Sequence, residues 1–248
     1  MGKDKRVMHD TSMVNTGAEP RVIAIVPAFN EEGNIVSTVE DLKKYSSNID
    51  YIIINDGSTD STEKICQERG YNHITLPVNL GLAGAFQTGM KFARENNYDF
   101  ALQFDADGQH CSAYIKDMIN TALSQNAKVV IGSRFAATKK PFSARMVGSA
   151  VITAMIFITT GKKVQDPTSG MRLISKDLFS LFAEELDFSP EPDTMALLMQ
   201  WGYEVCEVQV EMRDRVAGKS YLTFTKSLAY MLRVGISILF VQWIRRKK

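Results

Sequence analysis

From Arg21 onward, short apolar runs rich in β-branched residues alternate with stretches whose apolar residues recur every three or four positions. Val22–Val26, Tyr51–Ile54, His73–Leu76, Phe100–Phe104 and Val129–Ile131 have the length and composition of strands. Between them, Glu32–Lys44, Ser61–Arg69, Leu82–Asn96 and Ser112–Ser124 carry helical periodicity. Strands alternating with helices at this spacing predict βαβ units, hence a Rossmann-like α/β fold with a mostly parallel sheet flanked by helices. Right-handed crossovers then gather the carboxyl end of every strand at one edge. That edge is where open α/β sheets bind ligands.

The alternation weakens after Pro141. Residues 145–161 (RMVGSAVITAMIFITTG) are almost wholly apolar but short of the roughly 20 residues that cross a bilayer. Two readings stand, a buried core helix or a helix lying at a membrane surface. The run Val234–Ile244 is also too short to span. Trp243 lies near its end and the cluster Arg245, Arg246, Lys247, Lys248 follows it, a combination that suits the headgroup boundary and anionic lipid. A terminal helix docked on the domain or on a second subunit is the alternative. The pattern divides the chain into a flexible tail (1–20) without the apolar core of a signal peptide, a main domain (21–221), and a C-terminal amphipathic helix (222–248) expected at the membrane.

Composition narrows the function. The 29 basic and 28 acidic residues nearly balance in 248 residues, so a nucleic-acid partner is not expected. Cys66, Cys111 and Cys206 fit neither a disulfide framework nor zinc spacing, which points to a reducing compartment.

The expected strand ends carry the chemistry. The fourth ends in Asp105-Ala106-Asp107-Gly108-Gln109, two carboxylates and an amide that can gather hard oxygen ligands for Mg2+ or Mn2+. A solvated loop with Ser112 capping the next helix is the plainer alternative. The first ends at Pro27, expected to stop the strand. Phe29 then offers a stacking face, and Glu31 either accepts hydrogen bonds from a ribose or base or favours the following helix N-terminus with Glu32. After the second come Asn55, Asp56 and a turn into a helix capped by Asp60 or Ser61. Small residues in Gly81-Leu82-Ala83-Gly84-Ala85 allow close approach to a ligand or simply tight packing. Neither a dinucleotide fingerprint nor a P-loop is present. The convergence predicts a nucleotide-diphosphate site with a divalent cation.

PAFNEE (27–32), NDGSTD (55–60), DADGQH (105–110), GSR (132–134) and DPTSGMR (166–172), in that order, resemble the motifs of inverting family-2 glycosyltransferases of GT-A fold. The resemblance is closest to the dolichol- and polyprenyl-phosphate sugar synthase branch, and covers about Val22 to Leu222. It implies that Pro27, Phe29, Glu31, Asp56 and Asp105 bind the donor, and that Asp105, Asp107 and Gln109 hold the metal, Asp107 serving catalysis. Arg134, Ser169, Arg172, Arg215 and Lys219 would meet the acceptor phosphate or the leaving diphosphate. Glu191 or Asp193 would supply a catalytic base where the acceptor needs one. Asn55 departs from the family, which often has a second Asp there.

The expected reaction is transfer of a sugar from a UDP-, GDP- or dTDP-sugar to a polyprenyl phosphate, with inversion, in cell-envelope glycan synthesis. The enzyme is expected on the cytoplasmic face of a membrane, attached peripherally through its C-terminal helix; a homo-oligomer is left open. Transfer to a sugar hydroxyl of a lipid-linked glycan is the rival within enzymes. A nucleotidyltransferase lacks support because no glycine- and lysine-rich loop lies near the first strand. A non-catalytic membrane-complex adaptor is the rival from another class, and it has no use for the clustered Asp105 and Asp107.

Overall fold

The computed structural model describes residues 19–46, 48–138, 144–185, 188–213 and 224–241. Its strands are β1 (Val22–Ala28), β2 (Asp50–Asn55), β3 (His73–Thr75), β4 (Phe100–Gln103), β5 (Val129–Ser133), β6 (Arg172–Ser175) and β7 (Val205–Gln209). They form one sheet in the order β3-β2-β1-β4-β6-β5-β7. All pairs are parallel except those of β6, which runs antiparallel to both β4 and β5. The helices are α1 (Ile35–Tyr45), α2 (Thr62–Glu68), α3 (Gly81–Glu95), α4 (Ile115–Ser124), α5 (Ala144–Thr160), α6 (Phe179–Glu184), α7 (Pro192–Gln200) and α8 (Phe224–Ile236). A π-helical turn, Ser237–Val241, continues α8.

The period of two along each strand divides the core between the two sheet faces. Ile23, Ile25, Ile52, Ile54, Ile131 and Ile174 face a cluster shared with α3, α5, α6, α7 and α8. Val22, Ala24, Val26, Ile53, Val130 and Leu173 face a second cluster with α1 and α4. Both sheet faces are thus covered, as a mostly parallel sheet requires.

Several expectations need correction. Pro27 does not stop β1. Ile25 O accepts from Phe104 N on the β4 side and Ala28 O from Asp56 N on the β2 side. Pro27 shares the side of Ile25, so its missing N–H falls past the end of β4 and costs no ladder bond. Ser112 does not cap α4; it starts a 3-10 turn, and its N–H and hydroxyl donate to Asp41 Oδ2 (2.9 Å) and Asp41 O (2.8 Å). α1 begins at Ile35 rather than Glu32. Glu32 instead accepts from Ser61 N at the start of α2, while Asp60 accepts from Glu32 N and from Thr62 N. The loops after β1 and β2 are thereby clamped together. β6 and β7 are additional strands that periodicity did not mark.

α5 is buried along one side only. Ile152 and Ile156 are buried in the core, whereas Val151, Phe157 and Ile158 are exposed, the last at 74%. α8 packs on α5 at Gly148, where a β-carbon would sit 1.7 Å from Met231 Sδ. No helix among the described residues is long and apolar enough to cross a membrane.

Candidate active site

The site is built where β4 ends. Gln103 Nε2 donates to Asp105 Oδ1 (3.1 Å), and Gln109 N to Asp107 Oδ1 (3.1 Å). Asp105 is 33% exposed and Asp107 8%. His110 is buried edge-on against Phe104 and supports this loop: its Nδ1 accepts from Asp105 N (2.9 Å), which leaves the ring proton on Nε2, 3.6 Å from Asp105 Oδ2. No role for His110 was legible in the chain beyond its place in the motif.

The reversed direction of β6 completes the site. A parallel strand would begin at the far edge, but antiparallel β6 begins beside the end of β4, with Arg172 paired to Gln103 and to Ile131 of β5. The turn before it, 166–171, therefore lies against the aspartates. Gly170 approaches so closely that a β-carbon there would stand 2.5 Å from Asp105 Oδ2.

Arg172 shares the sheet face of Ile174, beneath α7 and α8, and is only 2% exposed. Its Nη2 donates to Pro167 O (2.9 Å), while Nε and Nη1 have no partner among the described residues. Burial pushes the guanidinium below its ordinary pKa, offset first by Glu191 and then by Tyr230, Asp105 and Asp166. An unmet buried donor costs about 1–3 kcal/mol, more when charged. An anion supplying two oxygens would recover that cost, because the guanidinium fork suits phosphate.

The other phosphate candidates are more committed. Arg134 grips the fully buried Asp166 with Nε (2.7 Å) and Nη2 (2.8 Å), so only part of its fork faces outward. Ser169, expected to meet a phosphate, is buried; its hydroxyl donates to Gly132 O (2.5 Å) and accepts from Met171 N (3.3 Å). Arg215 and Lys219 lie outside the described residues. Arg213, just before them, is fixed by Asp41 (2.7 Å), and its N–H donates to Gln109 O (2.9 Å).

Of the donor-side candidates, Asp56 is buried and its Oδ1 accepts from Leu80 N (2.7 Å), tying the loop before α3 to the end of β2. Asn55 bridges Thr75 and Ser58 N. Glu31 accepts from Asn34 Nδ2 (2.7 Å). Pro27 and Phe29 are half-buried on the same edge.

Glu191 and Asp193 open α7; Glu191 meets α8 and Asp193 the π-helical turn that continues it. Tyr230 donates its phenol to Glu191 Oε2, and Ser237 its hydroxyl to Asp193 Oδ2 (2.6 Å). Burial and then Glu191 push the Tyr230 phenol far up, so it stays protonated. Neither hydroxyl was singled out in the sequence, where helical spacing marks them only as helix residues.

The glycosyl transferase family 2 profile matches residues 23–182, from β1 through α6, including both aspartates, Arg134 and Arg172. The chain belongs to that family. This glycosyltransferase is 32% identical to the UDP-N-acetylglucosamine–dolichyl-phosphate N-acetylglucosaminyltransferase of Methanococcus voltae, over 68% of its own length and 75% of the relative's. It is 26% identical to the undecaprenyl-phosphate mannosyltransferase of Micrococcus luteus, over 82% and 88% of the two chains. Among solved structures, glucosyl-3-phosphoglycerate synthase from Mycobacterium tuberculosis superimposes with a TM-score of 0.66 at 18% identity, covering 92% of the glycosyltransferase and 82% of that chain. That likeness places the fold in the GT-A class.

The donor chemistry of the glycosyltransferase suits a hard cation. Among the described residues no group of three His, Cys, Asp or Glu side chains converges. Asp105 and Asp107 would offer two carboxylates and Gln109 an amide oxygen, leaving the other positions to phosphate oxygens and water. This is how Mg2+ is usually held at nucleotide sites.

Proposed function

We propose that this glycosyltransferase moves a sugar from a nucleoside-diphosphate donor to a polyprenyl phosphate, inverting the anomeric centre. The observation that carries this reading is the unmet guanidinium of Arg172, buried beside the Asp105 loop. It offers a phosphate two donors next to the place where a donor diphosphate would be held. The names of the two relatives, a dolichyl-phosphate and an undecaprenyl-phosphate transferase, support the same acceptor class.

Asp105 and Asp107 would hold Mg2+ or Mn2+, which when bound neutralises charge on the departing diphosphate. Solved relatives of the same fold were crystallised with Mn2+ and UDP-glucose or with Mg2+ and UDP, in line with this assignment. Pro27, Phe29, Glu31 and Asp56 would bind the nucleoside. Arg172 would orient the acceptor so that one phosphate oxygen lies in line with the anomeric carbon. A bond forms between that oxygen and the carbon as the carbon's bond to the nucleoside diphosphate breaks. A phosphate monoester already carries a nucleophilic oxygen near neutral pH, so no proton need be removed. The rival hydroxyl acceptor needs a base, yet Glu191 and Asp193 each accept a hydroxyl hydrogen bond from the α8 segment.

The enzyme would work at a membrane surface. Residues 139–165 and 216–248 hold 12 of the 29 basic residues and none of the 28 acidic ones. In the described part of these segments, Phe157, Ile158, Leu232, Ile236 and Phe240 are exposed. Bare apolar side chains amid unopposed positive charge suit an anionic leaflet.

The test is calorimetric titration of UDP-, GDP- and dTDP-sugars with and without Mn2+, repeated on Asp107→Asn, followed by transfer assays with polyprenyl phosphate. Metal-dependent binding of one donor, lost in the variant, with product formed on the lipid phosphate, is expected. Product only on a sugar hydroxyl would transfer support to the rival acceptor.

A further inference from the structure

Arg172 feels the charge of Glu191, Asp105 and Asp166, yet it forms no ion pair with any described carboxylate. Each neighbouring carboxylate has a donor of its own. Asp166 is held bidentately by Arg134, and Asp105 accepts from Gln103. Glu191, the strongest electrostatic neighbour, accepts from the phenol of Tyr230. A glutamate beside an unmet buried guanidinium would ordinarily turn onto it, because a charge-assisted pair there satisfies both partners.

We propose that Tyr230 is a positioning residue that holds the Glu191 carboxylate off Arg172, keeping Nε and Nη1 for the phosphate monoester of the acceptor. The inference rests on the assignment of Arg172 to that phosphate. The geometry gives Tyr230 a direct lever. Glu191 is the residue capping α7, Tyr230 reaches it from α8, and both lie on the sheet face toward which Arg172 points. A second tie, Ser237 to Asp193, fixes α8 to the same end of α7. Burial keeps the phenol neutral, so it donates a hydrogen bond without adding charge near the phosphate.

Removing the hydroxyl frees Glu191 to pair with Arg172, and an incoming phosphate must then displace a like-charged carboxylate. Tyr230→Phe is therefore expected to raise the Kd of a short-chain polyprenyl phosphate, measured calorimetrically on the full chain, by about tenfold or more. Donor affinity should stay within twofold. In the double variant Tyr230→Phe/Glu191→Gln the competing charge is gone, and acceptor affinity is expected to return to within about threefold of wild type. A purely structural role for Tyr230 would lower donor affinity and melting temperature alongside, with no rescue from Glu191→Gln. An unchanged acceptor Kd in Tyr230→Phe, or failed rescue, overturns the proposal. Arg172→Gln separates the two levels: if it leaves the Kd unchanged, the phosphate assignment falls and this inference with it. If Arg172→Gln abolishes binding while Tyr230→Phe has no effect, only the inference falls.

Discussion

Gly170 stands against Asp105 with no space for a side chain, since a β-carbon at that position would meet Oδ2 at 2.5 Å. The turn before β6 and the loop after β4 therefore share one boundary, and the carboxylate on one side is shaped by the absence of a side chain on the other. Gly170→Ala must push the Asp105 carboxylate or the turn aside. The expected result is at least a tenfold loss of Mn2+-dependent donor binding with little change in melting temperature. Donor binding within twofold of wild type would show that the contact does not set the carboxylate's position.

Glu191 and Asp193 provide the second prediction. General bases contribute about 10²- to 10⁴-fold, so replacing them with amides discriminates sharply. In Glu191→Gln/Asp193→Asn, transfer to a polyprenyl phosphate is expected to stay within about tenfold. A loss of a hundredfold or more, with the fold intact, would restore a base to the mechanism and favour a hydroxyl acceptor.

Leu232, Ile236 and Phe240 recur every four residues, away from the side of Tyr230, Val234 and Ile238. Changing all three to Ser removes exposed apolar surface and should leave folding intact. Co-sedimentation with phosphatidylcholine vesicles containing phosphatidylglycerol is expected for wild type, to weaken in high salt, and to fall at least tenfold in the variant. Equal binding by both proteins would remove this face from the membrane reading. A dimer in wild type that becomes monomeric in the variant would assign the face to a second copy.

Asp99 gives a prediction in pH. Burial alone would raise its pKa, but Lys176 Nζ at 2.7 Å and the Arg21 N–H at 3.0 Å outweigh that and hold it below the usual value. A carboxyl whose folded pKa is depressed adds stability above its unfolded value of about 3.9, and that stability is lost as pH falls through the lower folded value. Denaturant unfolding should therefore find Asp99→Asn less stable than wild type at pH 7, with the gap closing toward pH 2. A gap of the same size at both ends would mean that packing rather than ionisation is responsible.

Much of this was legible in the chain. β1, β2, β4 and β5 are apolar runs of a type only a buried strand needs, and the aspartates after β4 stand out because a buried strand end has no packing use for them. β6 and β7 were hidden for opposite reasons. Arg-Leu-Ile-Ser begins with a charge and lasts four residues, while Val-Cys-Glu-Val-Gln is a half-buried edge strand that alternates too weakly to register. Arg172 was found through its motif, but its unmet nitrogens follow from the strand's reversed direction, which no local pattern reports. The roles of Tyr230 and Ser237 depend on where a distant helix docks. The engagement of Ser169 depends on a carbonyl 37 residues away.

The reversal of β6 also separates what is fixed in this site from what can vary. Arg172 is held in register on both sides by β4 and β5, whereas the segment between α5 and the turn at Asp166 reaches the same edge from outside the sheet. Residues 161–165 belong to no strand, so a change of length there would leave in place the two ladders that hold Arg172. If Arg172 meets the acceptor phosphate as proposed, one scaffold can read the same headgroup while its approach is rebuilt for acceptors with different tails.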